Sequence, residues 1–285
     1  MPKYAVISDT DASLPPALAE KYGIRQVPII VQFGDESLRA VYDIDDLQTF
    51  GRIDSSGKLP TTSAPSPGQF VQEFKNAFDH GADGILCFAV SSEVSATYAA
   101  AVTASKDFPG KDITVIDTRS LSMGQGFQAL YAVEALQKGA SRDEALAVAK
   151  SVQKRTRFFA ALSTLKYLAM SGRVGHLTAG IANLLNVKPI LTIQNGKLEL
   201  IERVRTQNKA WGRLIELIGE NVKEHPIERM AIAHVAAEES AKEFESKLRY
   251  LISCPTEVIH CELTPGLSVH SGAGLVGVGI VLANS

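Results

Sequence analysis

The chain has few cysteines, almost no net charge and no long apolar segment, and each shortage excludes a class of protein. Its 285 residues include only three cysteines, Cys87, Cys254 and Cys261, whose spacing fits neither a disulfide framework nor a zinc motif. The formal net charge of −2 argues against nucleic acid as a partner. Because no apolar run or leader pattern is evident, we expect no integral membrane segment and a cytoplasmic location.

The overall composition is that of an ordinary globular protein. Hydrophobic residues make up 45% of the chain and charged residues 21%, which is enough apolar material for a sizeable core. A length of 285 residues favours two domains over one. Cys87 lies in the apolar run Ile85–Val90, so we predict a small buried core residue there.

Strand, polar loop and helix patterns alternate through the first half of the chain. Apolar runs at Tyr4–Ile7, Ile85–Val90 and Ile113–Ile116 predict strands, and each is followed by a polar loop and a helical pattern. Ile24–Phe33 predicts a further strand. This alternation predicts an α/β domain over residues 1–155, with a parallel sheet and flanking helices.

The second half of the chain has a different pattern. Asn195-Gly196 separates two strand-like segments, and this dipeptide is the strongest short signal for a β-hairpin. Helical patterns near 208–224 and 237–250 alternate with predicted strands, and a glycine-rich strand follows Leu275. We therefore predict an α+β domain with an antiparallel sheet over residues 156–285.

Three consecutive hydroxyl residues, Thr61 to Ser63, precede a helix whose start is clearly marked. Ser66 and Gln69 have the spacing of a capping box, and Pro67 suits the first helical position. The hydroxyl residues are consistent with a polar connection containing ST-turns. They are equally consistent with half of an anion site at a helix N-terminus.

A second hydroxyl-rich loop follows the predicted strand Ile85–Val90 and leads into another helix. Its candidate ligand groups are Ser91, Ser92, Ser95 and Thr97. Open α/β folds build ligand sites in such loops, at the carboxyl ends of strands.

Gly272, Gly274 and Gly277 match the dinucleotide pattern G-x-G-x-x-G, but we reject that interpretation. The pattern needs a helix after the glycines and an acidic residue about 20 positions later, whereas only eight residues follow Gly277 and they predict a strand. His270 stands beside these glycines at a predicted sheet edge. It is consistent with a structural histidine or with a ligand contact.

Three further positions have both structural and functional interpretations. Arg173 lies between glycines at a predicted helix end. It is consistent with a solvated cation or with a planar donor to a carboxylate. Arg205 belongs to a basic run with Arg203 and Lys209. This run is consistent with a solvated face or with a surface that binds a partner. For Asp9 and the neighbouring Asp11 we favour Asx-turns over a metal or acid–base role.

Together these stretches resemble the DegV family, and the resemblance covers the whole chain. The matching segments are SDTDASLP from Ser8, TSAPSPGQF from Thr62, SSEVSATY from Ser91, VIDTRSLSMGQG from Val115, LKYLAMSGRVG from Leu165, NVKPIL from Asn186, RVRTQNKA from Arg203 and HSGAGLVGVG from His270. The ordered series is specific, although no single motif is.

The resemblance implies a lipid-binding protein that encloses one fatty acid in an apolar tunnel between two domains. Such a protein presents the acyl carboxylate to the catalytic subunit of a bacterial fatty acid kinase, which makes acyl phosphate for phospholipid metabolism. It has no cofactor and no catalysis of its own, and we expect a monomer. The carboxylate contacts implied by position are Thr62, Ser63, Ser95, Thr97 and His270, with Arg173 as a supporting cation and Arg205 on the kinase-facing surface.

Two positions depart from the family pattern. Ala96 and Ala273 stand where the family usually has Gly and Pro, and an added methyl at Ala96 would crowd a closely approaching head group. An alternative function is a small-molecule hydrolase or transferase, in which His270 is the base for a nucleophilic Ser95 or Thr62.

Overall fold

The structure is a computed structural model that describes residues 2–171 and 187–284. Within these residues the chain forms thirteen β-strands and ten α-helices. The strands are β1 (Tyr4–Asp9), β2 (Arg25–Val27), β3 (Ile30–Phe33), β4 (Glu36–Arg39), β5 (Thr61–Ser63), β6 (Gly84–Ala89), β7 (Asp112–Asp117), β8 (Thr156–Ala161), β9 (Lys188–Gln194), β10 (Lys197–Val204), β11 (Ile227–His234), β12 (Val258–Glu262) and β13 (Val276–Leu282). The helices are α1 (Pro16–Tyr22), α2 (Asp46–Ser56), α3 (Pro67–Asp79), α4 (Thr97–Ser105), α5 (Met123–Gln137), α6 (Arg142–Arg155), α7 (Lys166–Ser171), α8 (Gln207–Asn221), α9 (Glu238–Leu251) and α10 (Pro265–Ser271).

The chain divides into two compact units. The first consists of Met1–Asp43, Thr62–Lys154 and Asn195–Lys197, and the second of Ile44–Thr61, Arg155–Gln194 and Leu198–Ser285. The change of unit after Lys154 lies next to the boundary expected at residue 155. In addition, Ile44–Thr61 belongs to the second unit although it lies in the first half of the sequence.

The first unit contains the predicted parallel α/β sheet. Its strand order is β2-β1-β6-β7, and every neighbouring pair is parallel. All six residues of β6 are buried, as its continuous apolar sequence requires for a strand covered on both faces. The buried position predicted for Cys87 in this strand is confirmed, since its side chain has no exposed surface.

Helix α3 begins as the sequence predicts. The Ser66 hydroxyl accepts a hydrogen bond from Gln69 N at 3.3 Å, and Ser66 N donates to Gln69 Oε1 at 2.9 Å. This capping box satisfies backbone groups at the start of the helix. Phe70 and Phe74 are fully buried in the core of the first unit, so one face of the helix is apolar and packs in that core.

The single strand predicted over Ile24–Phe33 is wrong, because the chain forms two strands there in different sheets. Strand β2 belongs to the parallel sheet, and β3 lies between β4 and β5 in a separate three-stranded sheet. Pro28 lies between the two strands and has no N–H group for a ladder hydrogen bond. The proline therefore allows the chain to leave one sheet and enter the next.

The second unit contains a six-stranded sheet in the order β10-β9-β8-β13-β11-β12. The described pairs β8–β9, β8–β13 and β11–β13 are antiparallel, and β11–β12 is parallel. The predicted α+β architecture with an antiparallel sheet is thus confirmed. The predicted hairpin is also present, and Asn195 and Gly196 have φ values of 52° and 82°, as a type I′ turn requires.

The glycines that follow His270 are explained by close packing within the second unit. A Cβ atom on Gly272 would lie 2.2 Å from Tyr167 Cδ2, and one on Gly274 would lie 2.3 Å from Ser163 Oγ. Strand β13 follows these glycines, as predicted. The expected sheet-edge position of His270 is wrong, because His270 lies in α10 and β13 is an interior strand.

Replacement of Gly272 by alanine tests this packing. We expect Gly272→Ala to destabilise the protein by about 3 kcal/mol, because it combines a backbone conformation essentially restricted to glycine, with φ of 80° and ψ of 159°, with overpacking against the Tyr167 ring. Gly57→Ala in the same unit is the control for a positive φ without crowding, since Gly57 has a φ of 66° in the left-handed helical region and no atom within 4 Å of an added Cβ. It should cost only about 1 kcal/mol. Urea unfolding measures both, and equal losses would contradict the explanation by backbone conformation and packing together.

Candidate ligand-binding site

The hydroxyl-rich loop after β6 brings two of the predicted ligand groups together. Ser95 Oγ and Thr97 Oγ1 lie 2.8 Å apart and share a hydrogen bond, and Thr97 N donates to Ser95 Oγ at 3.3 Å. Thr97 is fully buried and Ser95 is half-buried. The pair lies where β6 has ended and α4 begins, at the edge of the parallel sheet where α/β proteins bind ligands.

Ala96, which replaces the usual family glycine, lies between these two hydroxyl residues. Its φ of −77° and ψ of 1° are accessible to any L-residue, so the backbone here does not need glycine. The side chain is exposed. The alanine is therefore compatible with the loop geometry.

The two other hydroxyls of this loop support its backbone. Ser91 is fully buried, and its Oγ donates to Gly196 O at 2.7 Å. Ser92 Oγ donates to Asp117 Oδ2 at 2.5 Å, and Ser92 N donates to Asp117 Oδ1 at 3.2 Å. Of the four hydroxyls singled out in the sequence, Ser91 and Ser92 therefore hold the loop, and Ser95 and Thr97 remain as the paired ligand candidates.

Asp9 fixes the start of the same loop from the neighbouring strand. Its carboxylate accepts hydrogen bonds from Val90 N at 2.7 Å and from Asp11 N at 2.9 Å. The second contact confirms the predicted Asx-turn, whereas the sequence did not indicate the first. Burial raises the pKa of Asp9 to about 6, and the hydrogen bond from Val90 opposes the rise.

Thr62 and Ser63 lie in β5, not in the turn-rich connection that was one of their two interpretations. Consecutive residues of a strand project to opposite faces, so the two side chains diverge. Thr62 is half-buried and Ser63 is exposed. The strand therefore directs at most one of these hydroxyls towards any single ligand.

Two further predicted residues, His270 and Arg205, lie in the second unit. His270 is half-buried in the last turn of α10. Arg205 is exposed between β10 and α8, immediately before Thr206, whose Oγ1 accepts a hydrogen bond from Lys209 N at 3.3 Å. Arg173 lies outside the described residues.

A buried carboxyl group ties α10 to α2 in this unit. Ser268 Oγ donates to Asp46 Oδ1 at 2.5 Å, and Asp46 is only 1% exposed. Burial raises the pKa of Asp46 to about 8, while the Ser268 hydrogen bond opposes the rise and the charges of Glu262 and Asp45 add to it. Asp46 is therefore largely a neutral acid at pH 7. Sequence reasoning missed this pair, because its partners are 222 positions apart.

The described part of the chain has neither a cluster of metal-ligating side chains nor a helix that could span a membrane. Residues 2–171 and 187–284 contain no group of three or more histidine, cysteine, aspartate or glutamate side chains arranged to hold a metal ion. No helix within these ranges has both the length and the apolar character needed to cross a bilayer.

The fold and this loop define a two-unit α/β protein with paired hydroxyls at the carboxyl edge of a parallel sheet. A family model described as "uncharacterised protein, DegV family" matches residues 3–283. The chain belongs to the DegV family.

Known relatives match the chain over nearly its full length. The DegV domain-containing protein SCO2569 of Streptomyces coelicolor is 33% identical over 274 residues, which cover 96% of each chain. A DegV family protein from Thermus thermophilus, described by its fatty acid binding, has a TM-score of 0.92 at 27% identity and covers 99% of this chain and 100% of its own. DegV from Bacillus subtilis, described as a fatty acid binding protein, has a TM-score of 0.87 at 27% identity with the same coverage.

The raised pKa of Asp46 predicts a pH-dependent stability. The folded protein keeps a proton on Asp46 up to about pH 8, whereas the unfolded chain loses it near the ordinary pKa of 3.8. The buried Asp46 side chain therefore contributes fully to stability below about pH 4, and this contribution is lost as the pH rises through about 8. Asp46→Asn removes this titration, so we expect the variant to gain at least about 1 kcal/mol relative to wild type between pH 5 and pH 9.

Urea unfolding at the two pH values measures this gain. Asp54→Asn, an exposed carboxylate on the same helix, is the control and should follow the wild-type pH dependence. A constant difference between Asp46→Asn and wild type would show that Asp46 is ionised at both pH values.

Proposed function

We propose that this protein is a cytoplasmic, monomeric carrier that binds one long-chain fatty acid. It presents the carboxylate to a separate fatty acid kinase subunit, which forms the acyl phosphate, and it has no cofactor or catalysis of its own. One observation carries the proposal. The solved proteins from Thermus thermophilus, Thermotoga maritima and Bacillus subtilis are described by fatty acid binding, and they share the whole fold at 27–28% identity.

Burial of the acyl tail supplies most of the affinity in this proposal. Each methylene removed from water contributes roughly 0.8 kcal/mol, so a tail of about fifteen methylenes contributes on the order of 12 kcal/mol. Association and ordering costs reduce this figure considerably. Because the tail supplies the largest favourable contribution, the polar contacts at the head group are needed for orientation more than for affinity.

The carboxylate needs hydrogen-bond donors to offset its desolvation. Ser95 and Thr97 carry two hydroxyl protons, and their mutual hydrogen bond consumes only one of them. The other proton can be donated to a ligand oxygen while the pair stays connected. Because both groups are neutral, the same arrangement accepts a carboxylate or an acyl phosphate.

The other head-group contacts are proposed from the family pattern. Whichever of Thr62 and Ser63 faces the ligand is assigned to the carboxylate together with His270, and Arg173 is assigned as a supporting cation. His270 is half-buried, as a residue at the mouth of a ligand site would be. The alternative, a hydrolase or transferase with His270 as base, uses the same residues but requires turnover by the isolated protein.

Mass spectrometry of an organic extract from the purified protein tests the carrier proposal. We expect near-stoichiometric fatty acid in the wild-type extract and no turnover of fatty acyl esters by the protein. The double variant Ser95→Ala/Thr97→Val should bind fatty acid about tenfold more weakly, because the carboxylate loses its donor. Thr103→Val on the same helix is the control, since the Thr103 hydroxyl bonds only to Ala99 O, within α4.

Wild-type protein that contains no fatty acid, and takes up none when it is supplied, would contradict the proposal. Hydrolysis of acyl esters that is lost in His270→Ala would favour the enzyme instead.

Charge reversal at Arg205 tests the proposed partner surface. Arg205 is exposed and belongs to a basic run with Arg203 and Lys209, which fits an acidic patch on the kinase subunit. We expect Arg205→Glu to weaken association with a purified fatty acid kinase subunit about tenfold and to leave fatty acid binding unchanged. Lys106→Glu, at an exposed position of the first unit, is the control. If both charge reversals weaken binding to the kinase subunit equally in a surface-binding assay, the weaker binding is due to net charge alone.

A further inference from the structure

The type I′ turn and the first residue of β10 belong to the first unit and pack directly against the hydroxyl-rich loop; these residues, Asn195 to Lys197, are called the Asn195–Lys197 turn. The Ser91 hydroxyl donates to Gly196 O at 2.7 Å, and Ser91 has no exposed surface. A Cβ atom on Gly196 would lie 2.6 Å from Ser91 Oγ and 2.9 Å from Arg119 Nε. The φ of Gly196 is 82°, so both the backbone conformation and the close approach require glycine here.

Charged side chains hold the same turn from its solvent side. The Arg119 guanidinium donates to Asn195 O and, at 2.8 Å, to Glu93 Oε1. Lys197 Nζ lies 3.4 Å from the other oxygen of the Glu93 carboxylate. Arg119 and Lys197 together hold the pKa of Glu93 below its usual range. The loop therefore contributes Glu93 and Ser91 to the contact. The turn contributes the Lys197 ammonium group and the carbonyl groups of Asn195 and Gly196.

Arg119 itself is fixed in an uncommon backbone conformation for this contact. Its φ is 51°, in the left-handed region that non-glycine residues rarely adopt. Arg119 N donates to Asp117 Oδ1 at 2.9 Å, and the same carboxylate holds Ser92. Such strain persists only where surrounding contacts compensate for it, so the turn and the loop form one connected network.

The contact at Ser91 continues to the paired hydroxyls through the backbone. Ser91 O accepts hydrogen bonds from Val94 N and Ser95 N, each at 3.1 Å. The Ser91 hydroxyl also accepts one from Glu93 N at 3.3 Å. A displacement of Ser91 would therefore move Ser95, and with it the hydrogen bond between Ser95 and Thr97.

We infer that the Asn195–Lys197 turn is a positioning element that sets the preference of this site for an anionic head group. Ser91, Gly196 and Arg119 act as positioning residues, because they fix where the Ser95 and Thr97 hydroxyls are held without contacting the ligand. The inference rests on the proposed fatty acid binding. The preference of the site for a carboxylate over a neutral head group then depends on the turn, whereas binding of the acyl tail does not depend on it.

Gly196→Ala separates positioning from stability when it is compared with Gly110→Ala. Gly110 has a φ of 77° and no atom within 4 Å of an added Cβ, so both variants carry similar backbone strain but only Gly196→Ala collides with Ser91 and Arg119. Palmitate and hexadecanol are the two probes, since they share a tail and differ in head group. Their Kd values follow from competition with a fluorescent fatty acid whose own Kd is determined for each variant.

We expect Gly196→Ala to weaken palmitate binding about tenfold and to change hexadecanol binding by less than about twofold. Gly110→Ala should leave both Kd values unchanged. Ser91→Ala is a second variant that removes the hydroxyl without adding volume, and it should also reduce the preference for palmitate. It keeps the inference testable if Gly196→Ala does not fold.

One result would overturn the positioning role: a ratio of the palmitate and hexadecanol Kd values that is the same in Gly196→Ala and Ser91→Ala as in wild type, whether or not both ligands bind more weakly. If the wild-type protein binds neither probe, the proposed function itself fails. If the wild type prefers palmitate and both variants keep that preference, only the positioning role fails.

Discussion

The buried carboxylate of Asp9, at the carboxyl end of β1, is the constraint on which the hydroxyl-rich loop depends. A carboxylate with no exposed surface needs donors close by, and the chain supplies Val90 N, directly after the neighbouring strand β6, and Asp11 N from its own turn. The first of these contacts fixes the residue immediately before Ser91. The loop that carries Ser95 and Thr97 therefore starts from a position that the parallel sheet and one buried acid determine together.

Polar groups that are neutral but held in place recur in this protein. The Ser95 and Thr97 hydroxyls are paired with each other, and Asp46 is kept largely protonated by burial while it accepts from Ser268. Neutral groups cost less to bury than ions and leave no permanent charge beside a site. In the proposed carrier, a head group that gains negative charge is held by donors that do not change their own protonation state.

Close backbone approach explains the glycines better than any nucleotide motif does. Gly272 and Gly274 leave room for Tyr167 and Ser163, and Gly196 leaves room for Ser91 and Arg119. In each case the side chain that fills the space comes from a distant part of the sequence. The same letters G-x-G-x-x-G therefore have a packing role here, and the strand that follows them excludes the helix that a dinucleotide site requires.

Local interactions made much of the fold readable from the sequence alone. The Ser66 capping box, the Asn195-Gly196 hairpin and the apolar strand at Ile85–Val90 depend on neighbours within a few residues, and all three are present. The chain's own tertiary structure decided the rest. Val90 to Asp9, Ser91 to Gly196 and Ser268 to Asp46 are hydrogen bonds across 81, 105 and 222 positions. No periodicity or capping rule encodes such pairs, because their geometry exists only after the strands and helices have packed.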